Sequence, residues 1–504
     1  MSSQADLSFA DDQNDNNMDV YDSEAVRTND RKRKRVEIED SLVSGEYSEI
    51  TKPIRRKECC LVLDYGKKVY NFLSVFAVFL DRTGTSPMIK TQPFMFMPTF
   101  EQKTTERIVE YIIEGGERLG LSREQVLSMR VVGDGAANIR KLGDFFESYS
   151  LCSCHSLQKA AERVLDPLAE VRLSFTPDEH KHLQELTSIV DDCSDLAATL
   201  RRNKNVYDLP KLPVAHCPTR WMTFINCCQD IVDLFSHIET IDAARVRQLR
   251  EKIRPNLPQL ITALHLLKLF ESPLKLFEKT EMRLHEVAPL LFKLHRIFKE
   301  QEEQGTLKSN NTLRVVAKSA TISLEHYISK TVSEPYLLAS FLCPGMRKLS
   351  LFPDDYKKKA LKLVEEEIEK VEIDCSAIDS PQKSDLTYFI NCFSDKKYNY
   401  LRADLYDDPP PLPSADMELE DYKSSVFGAS DTTMSPFLFW EKHKHRFPRL
   451  SAVAGSAYCV IASESICERS FSALNRVFRC DRQSMDPELV EILMISFLHL
   501  NNMK

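Results

Sequence analysis

The chain has 504 residues, 43% hydrophobic and 28% charged: enough apolar material for a substantial core, and too long for one compact domain. A formal net charge of −8 excludes a protein that coats nucleic acid by bulk positive charge, so any DNA contact must use local basic patches. Only 13 glycines leave few left-handed turns and favour long helices, and no apolar run suggests a membrane span or a secretory signal. The 14 scattered cysteines, four of them in two adjacent pairs (Cys59-Cys60 and Cys227-Cys228), suit reduced thiols inside the cell rather than a disulfide scaffold.

Residues 1–57 read as a disordered acidic tail with a basic cluster. Seven carboxylates between Asp6 and Glu24, with no Lys or Arg before residue 27, give a segment that cannot offset its ordering entropy. The run Arg31-Lys32-Arg33-Lys34-Arg35 fits an import receptor, which points to the nucleus.

Order is expected from Cys59. The spacing predicts buried strands at Cys60–Asp64, Tyr70–Leu80 and Pro93–Met97, with a turn at Tyr65-Gly66-Lys67-Lys68. A helix follows from Thr104 to Leu119, and a further strand from Val126 to Val132 runs into Gly133-Asp134. Residues 58–157 thus form a first core segment, with Asp64 and Asp134 at the ends of its first and fourth strands. Residues 158–405 are dominated by helical periodicity, although Pro273 should kink the helix between Leu260 and Phe277. Residues 406–433, proline-rich then acidic, read as an exposed linker, and a compact helical tail occupies 434–504. The fold class is α/β plus α: a mixed sheet with a large all-helical segment, helix-rich overall.

An Asp after a strand is commonly a turn former or helix cap, so neither Asp64 nor Asp134 signifies much alone. Together, at the ends of neighbouring strands, they would face one cleft and share a divalent cation. Cys152-Ser-Cys-His155 has no second ligand pair at finger spacing, so zinc is not expected and the motif reads as packing that orients the core. His443 and His445 read as surface residues.

Six motifs in order carry a resemblance: Asp134-Gly-Ala-Ala-Asn138, Cys152-Ser-Cys-His155, Thr219-Arg220-Trp221, Trp440-Glu-Lys-His443, Phe447-Pro448-Arg-Leu450 and Glu468-Arg469-Ser470-Phe471-Ser472. With these the chain resembles the hAT superfamily of DNA transposases from about Cys59 to Asn502. The resemblance implies an RNase H-like mixed sheet interrupted by a large helical insertion, and a C-terminal dimerisation region. It implies a catalytic triad of Asp64, Asp134 and Glu468 holding Mg²⁺ or Mn²⁺, which would cleave DNA and transfer strands. Arg220 and Trp221 would contact phosphate and a displaced base. Arg469 and Arg476 form a basic stripe on the helix opened by Glu468; it either holds DNA phosphates or pairs with surface acids.

Three departures stand out. Residues 1–58 contain no Cys or His, so the family's BED zinc finger is not among them; Tyr65-Gly66 replaces the usual Trp-Thr; and Cys467 replaces the usual Ser before the glutamate. Two functions fit: a metal-dependent transposase, or a transposase-derived host protein that binds DNA or partners and dimerises without transposing. Both predict homodimers or higher oligomers through Leu489, Leu493, Phe497 and Leu500.

Overall fold

The computed structural model describes residues 48–67, 71–84, 86–100, 103–203, 209–217, 221–279, 282–371, 414–477 and 486–502. The Arg31–Arg35 cluster lies outside them. The chain divides into residues 1–52 and a body of residues 53–504. Regular structure begins earlier than the sequence suggests, with a helix at Ser48–Arg55.

Five strands form one mixed sheet: β1 (Cys59–Lys67), β2 (Asn71–Asp81), β3 (Met88–Thr99), β4 (Arg130–Gly133) and β5 (Ser148–Leu151). Their order is β3-β2-β1-β4-β5. β1, β2 and β3 are antiparallel neighbours, whereas β4 runs parallel to β1, and β5 parallel to β4. β1 is longer than expected. Tyr65, Gly66 and Lys67 continue its ladder, opposite Leu73, Phe72 and Asn71, so they are strand rather than turn, and Asp64 sits inside the strand rather than at its end.

Residues directly opposite in an antiparallel pair share a face. Val62 with Phe76, Asp64 with Ser74, and Gly66 with Phe72 therefore line one side. The C-terminal helices cover this side near Asp64: Phe72 and Phe96 pack with Leu474 of the Ser465–Val477 helix and with Val490 and Met494 of the Pro487–Asn502 helix. Lower on the same side, Cys60, Val62, Phe76 and Val78 join the core of the helical region. The other side, marked by Val75 and Met95, is covered by the Thr105–Arg118 helix, where Gly115 permits the close approach of Met95. Thr104 caps that helix by accepting from the Arg107 N–H.

Val126 departs from the expected strand. It lies in a short helix, Arg123–Leu127, started by a capping box between Ser122 and Gln125; the strand proper is only Arg130–Gly133. The helix around Pro273 is broken as expected, into Leu257–Leu267 and Glu271–Phe277 with a tight turn at Lys268–Phe270. The proline has no N–H to continue the ladder through that turn.

The expected linker is corrected over its second half. Residues Ala415–Ser424 and Ala429–Thr433 are helical, and Tyr422 is fully buried among Phe341, Trp440 and Phe447. Tyr422 donates to the carbonyl of Phe341 and Trp440 Nε1 to that of Leu342, which binds this segment to the helical region. Residues 406–413 lie outside the described set. His443 is also corrected: it packs between Phe439 and Phe447 in this aromatic cluster, whereas His445 is exposed. No helix among the described residues is long and apolar enough to cross a membrane.

Candidate active site

Parallel pairing of β1 with β4 matches Val62 to Val132; continued two residues, the register sets Asp134 level with Asp64 on the adjacent strand path. Asp134 folds its own turn, with Oδ1 accepting from the Ala136 N–H at 3.0 Å. Asn138 holds the following loop in place: its Nδ2 donates to the Lys103 carbonyl at 2.7 Å, and its own carbonyl accepts from Thr105 Oγ1. Lys103 is thereby set with Nζ 4.2 Å from the centre of the Tyr65 ring. Burial lowers the pKa of Lys103, while the charges of Asp64 and Asp134 oppose that shift.

Glu468 is exposed, in the first turn of the Ser465–Val477 helix. Contacts one residue before it and two and three residues after it press that helix onto β1 and β2. The Cys467 thiol approaches the carbonyls of Val62 and Ser74 at 3.4 and 3.6 Å, the Ser470 and Ser74 hydroxyls are 2.9 Å apart, and Phe471 sits over Gly66. The third carboxylate of the expected triad thus comes to the sheet face that carries Asp64, although 404 positions separate the two in the chain.

A fourth carboxylate stands beside them. Glu464 is buried, one helical turn before Glu468; its Oε1 is 3.5 Å from His155 Nδ1 and its Oε2 has no hydrogen-bond partner. Sequence reasoning missed it, and the available signal was the spacing of four between Glu464 and Glu468, which puts both on one helix face.

The four acids act on one another. Asp64 is pushed up to about 7, first by burial, then by the charge of Glu464, with Asp134 and Glu468 adding to it and the Tyr65 N–H opposing. Burial also raises Glu464, against the pull of His155. His155 is itself raised, chiefly by its hydrogen bond to Glu464.

The Cys152–His155 motif forms the wall behind Glu464. Cys152 is buried with Sγ 3.8 Å from Ser463 Oγ, and the Ser153 N–H donates to the Ala462 carbonyl at 2.8 Å, so the Ser153–Glu162 helix starts against the segment that leads into Glu464. The Trp221–Asp233 helix packs on this same helix. Arg220 lies outside the described residues, as does the side chain of Trp221. Arg469 is exposed, with NH1 3.4 Å from the Glu278 carbonyl, and Arg476 is exposed on the same helix.

Among the described residues, no three His, Cys, Asp or Glu side chains converge tightly enough as they stand to hold a metal ion. In donor type, though not in present spacing, the set is one that a divalent cation takes: four carboxylates lie near enough for their charges to act on Asp64 or on one another, and one of them has an unsatisfied buried oxygen. Hard cations with oxygen ligands relieve that kind of charge excess.

Residues 418–500 match the model of the hAT family C-terminal dimerisation region. The match begins at Glu418, inside the stretch that the sequence suggested was a linker, and runs through the helix of Glu468 to the last described helix. Residues 46–134, from the first helix to Asp134, match a domain of unknown function, DUF8247. Over 483 residues the chain is 29% identical to the uncharacterized protein ZK1098.2 of Caenorhabditis elegans, covering 91% of this chain and 71% of the relative.

Proposed function

We propose that the chain is a hAT transposase-like nuclear protein with an RNase H-like core, which cleaves and joins DNA strands at the carboxylate cleft and self-associates through its C-terminal region. The observation that carries this reading is that Glu468, in a C-terminal segment that matches the hAT dimerisation region, comes close enough to the β3-β2-β1-β4-β5 sheet for its charge, with that of Asp134, to act on Asp64.

In this reading Asp64, Asp134 and Glu468 hold Mg²⁺ or Mn²⁺, which when bound supplies activation of water or a 3′-hydroxyl and stabilises the leaving oxygen. The chain's own contribution is positioning. The β1–β4 register fixes the two aspartates, and the Cys467, Ser470 and Phe471 contacts fix the helix of Glu468. In this reading Lys103, beside Asp64 and Asp134, and exposed Arg469 and Arg476 on the helix of Glu468 would meet phosphate groups. Arg220 and Trp221 are proposed to act on the flanking DNA, and Arg31–Arg35 to bind an import receptor.

Cleavage of DNA carrying terminal repeats, with Mg²⁺ or Mn²⁺, tests the reading. Wild type should cut, whereas Asp64→Asn and Glu468→Gln should lose at least about a hundredfold, as expected when one group of a concerted metal site is removed. Equal cutting by all three would reject the assigned site.

A second reading, a transposase-derived protein that binds and dimerises without catalysis, is favoured by one observation: as they stand, the carboxylates do not close on a common point. In that case the wild type would bind DNA and self-associate but cut nothing.

A further inference from the structure

At the end of the sheet away from the carboxylates, where β1 and β4 begin and β2 ends, a cavity of about 830 Å³ opens to solvent. Five segments of the chain supply its cations. Arg55, Arg56 and Lys57 precede β1; Arg82 and Arg130 come from strand ends; Lys370 and Lys444 come from helix ends. Against these seven stand three lining carboxylates, Glu58, Glu367 and Glu441, so a chain of net charge −8 concentrates an excess of four positive charges here.

A surface ion-pair network is the bland explanation, and its stoichiometry argues against sufficiency. Glu58 is shared by Arg56 and Arg82, and Glu441 by Arg82 and Lys444, while Lys370 takes Glu367. Lys57 and Arg130 both turn to Glu147 outside the cavity, at 3.5 and 3.8 Å. Exposed Arg55 makes no ion pair with a described residue. A guanidinium carries five N–H donors in a planar fork, so shared carboxylates leave much donor capacity unused, in a geometry that suits phosphate oxygens. The arrangement is also built from below: Gly455, which lacks a Cβ, lets the Glu58–Arg82 pair seat directly on the Pro448–Tyr458 helix.

We propose that this cavity binds a run of phosphates, either the backbone of a nucleic-acid strand or a small polyphosphate, at a site separate from the carboxylate cleft. Five residue steps along β1, about 17 Å at the rise of an extended strand, separate Cys59 at the cavity end from Asp64. That distance is close to half a turn of duplex DNA. The proposal stands whether or not the cleft is catalytic.

The test uses the full chain with two probes, a fluorescent DNA duplex and inorganic tripolyphosphate. Arg55→Glu/Lys444→Glu reverses two exposed cavity cations, and Lys308→Glu/Lys330→Glu reverses two exposed lysines elsewhere. The cavity variant should weaken binding at least about tenfold and flatten the salt dependence by about one to two phosphate contacts, with the control unchanged. Duplex binding that is tighter than tripolyphosphate binding and is weakened in the cavity variant identifies nucleic acid as the source. Tripolyphosphate binding without duplex binding identifies a small polyphosphate. In wild type, either ligand should protect Lys370 and Lys444 from acetylation, a readout that needs no variant to fold. Failure of both probes to bind, equal losses in both variants, or unprotected lysines would overturn the proposal.

Discussion

The Phe471 ring fills the space that a side chain on Gly66 would need: a Cβ there would lie 2.6 Å from Phe471 Cγ and closer still to the ring's Cδ1 and Cε1. The ring also contacts Phe96, with centroids 5.7 Å apart, so it cannot swing freely aside. Gly66→Ala should therefore lift the start of the Ser465–Val477 helix and with it Glu468. Overpacking of this kind costs about 1–3 kcal/mol. Chemical denaturation checks the magnitude, and Gly66→Ala/Phe471→Leu should recover part of the loss.

Asp64 titrates near 7 in the folded chain and near 4 when unfolded. Between those values the folded state binds the additional proton, so the stability that its protonation confers is complete below pH 4 and disappears as pH rises through 7. Without divalent cations, Asp64→Asn should be more stable than wild type at pH 8, by about 2–4 kcal/mol, and equal to it at pH 3.5. Melting curves of the two proteins across that range give the comparison. Added Mn²⁺ should narrow the gap by stabilising wild type, and more so at pH 8 than at pH 5, because metal and proton compete for the same carboxylate.

Glu179 behaves in the opposite sense. Burial works against its ionisation, but Lys318 at 2.8 Å, the Thr176 N–H and Arg314 outweigh it and hold its pKa down to about 2. One side chain thus caps the Pro177–Arg202 helix and ties it to the Asn311–Thr331 helix. Glu179→Ala should cost about 3–5 kcal/mol by stranding two cations around a buried site. The contribution is present above pH 4.5 and is lost as pH falls towards 2, so acid unfolding of wild type should converge on the variant there.

Leu489 and Leu493 are exposed on the Pro487–Asn502 helix, while Val490 and Met494, one position further on, are fully buried against Phe72 and Phe96. The same helix therefore carries a core face and a free apolar face. Leu489→Glu/Leu493→Glu should convert the assembly to monomer in light scattering while leaving the melting temperature nearly unchanged. A drop in melting temperature with no change in mass would place those leucines in intrachain packing instead.

The long apolar runs were legible because each holds enough side chains to show its period: β2 and the Thr105–Arg118 helix fall within a residue of expectation, whereas β3 was found only at its apolar end and starts five residues earlier, at Met88. Short elements were not. β5 is four residues, Ser-Tyr-Ser-Leu, with no period to read; parallel pairing with β4 specifies it. Val126 looked like strand because an apolar run of that length fits either state, and the Ser122–Gln125 capping box decided for helix. The segment after the prolines looked solvated because Asp416, Glu418, Glu420 and Asp421 dominate its composition. Yet Glu418 is buried, accepting from the Leu450 N–H at 2.7 Å at the start of the Pro448–Tyr458 helix. Asp64 and Asp134 were visible as residues after apolar runs, and Glu464 only through its spacing of four from Glu468, whereas it is tertiary packing that brings Lys103 beside the two aspartates.

The cleft's walls come from opposite extremes of the polypeptide. During synthesis, β1 to β5 and the helices that follow them can emerge and collapse long before residues 464–477 leave the ribosome, so the face around Asp64 waits uncovered while most of the molecule is already compact. A message cut short anywhere upstream of that helix yields a protein without Glu464 or Glu468 and with the hydrophobic floor beneath Phe471 laid open, a product suited to degradation rather than to chemistry.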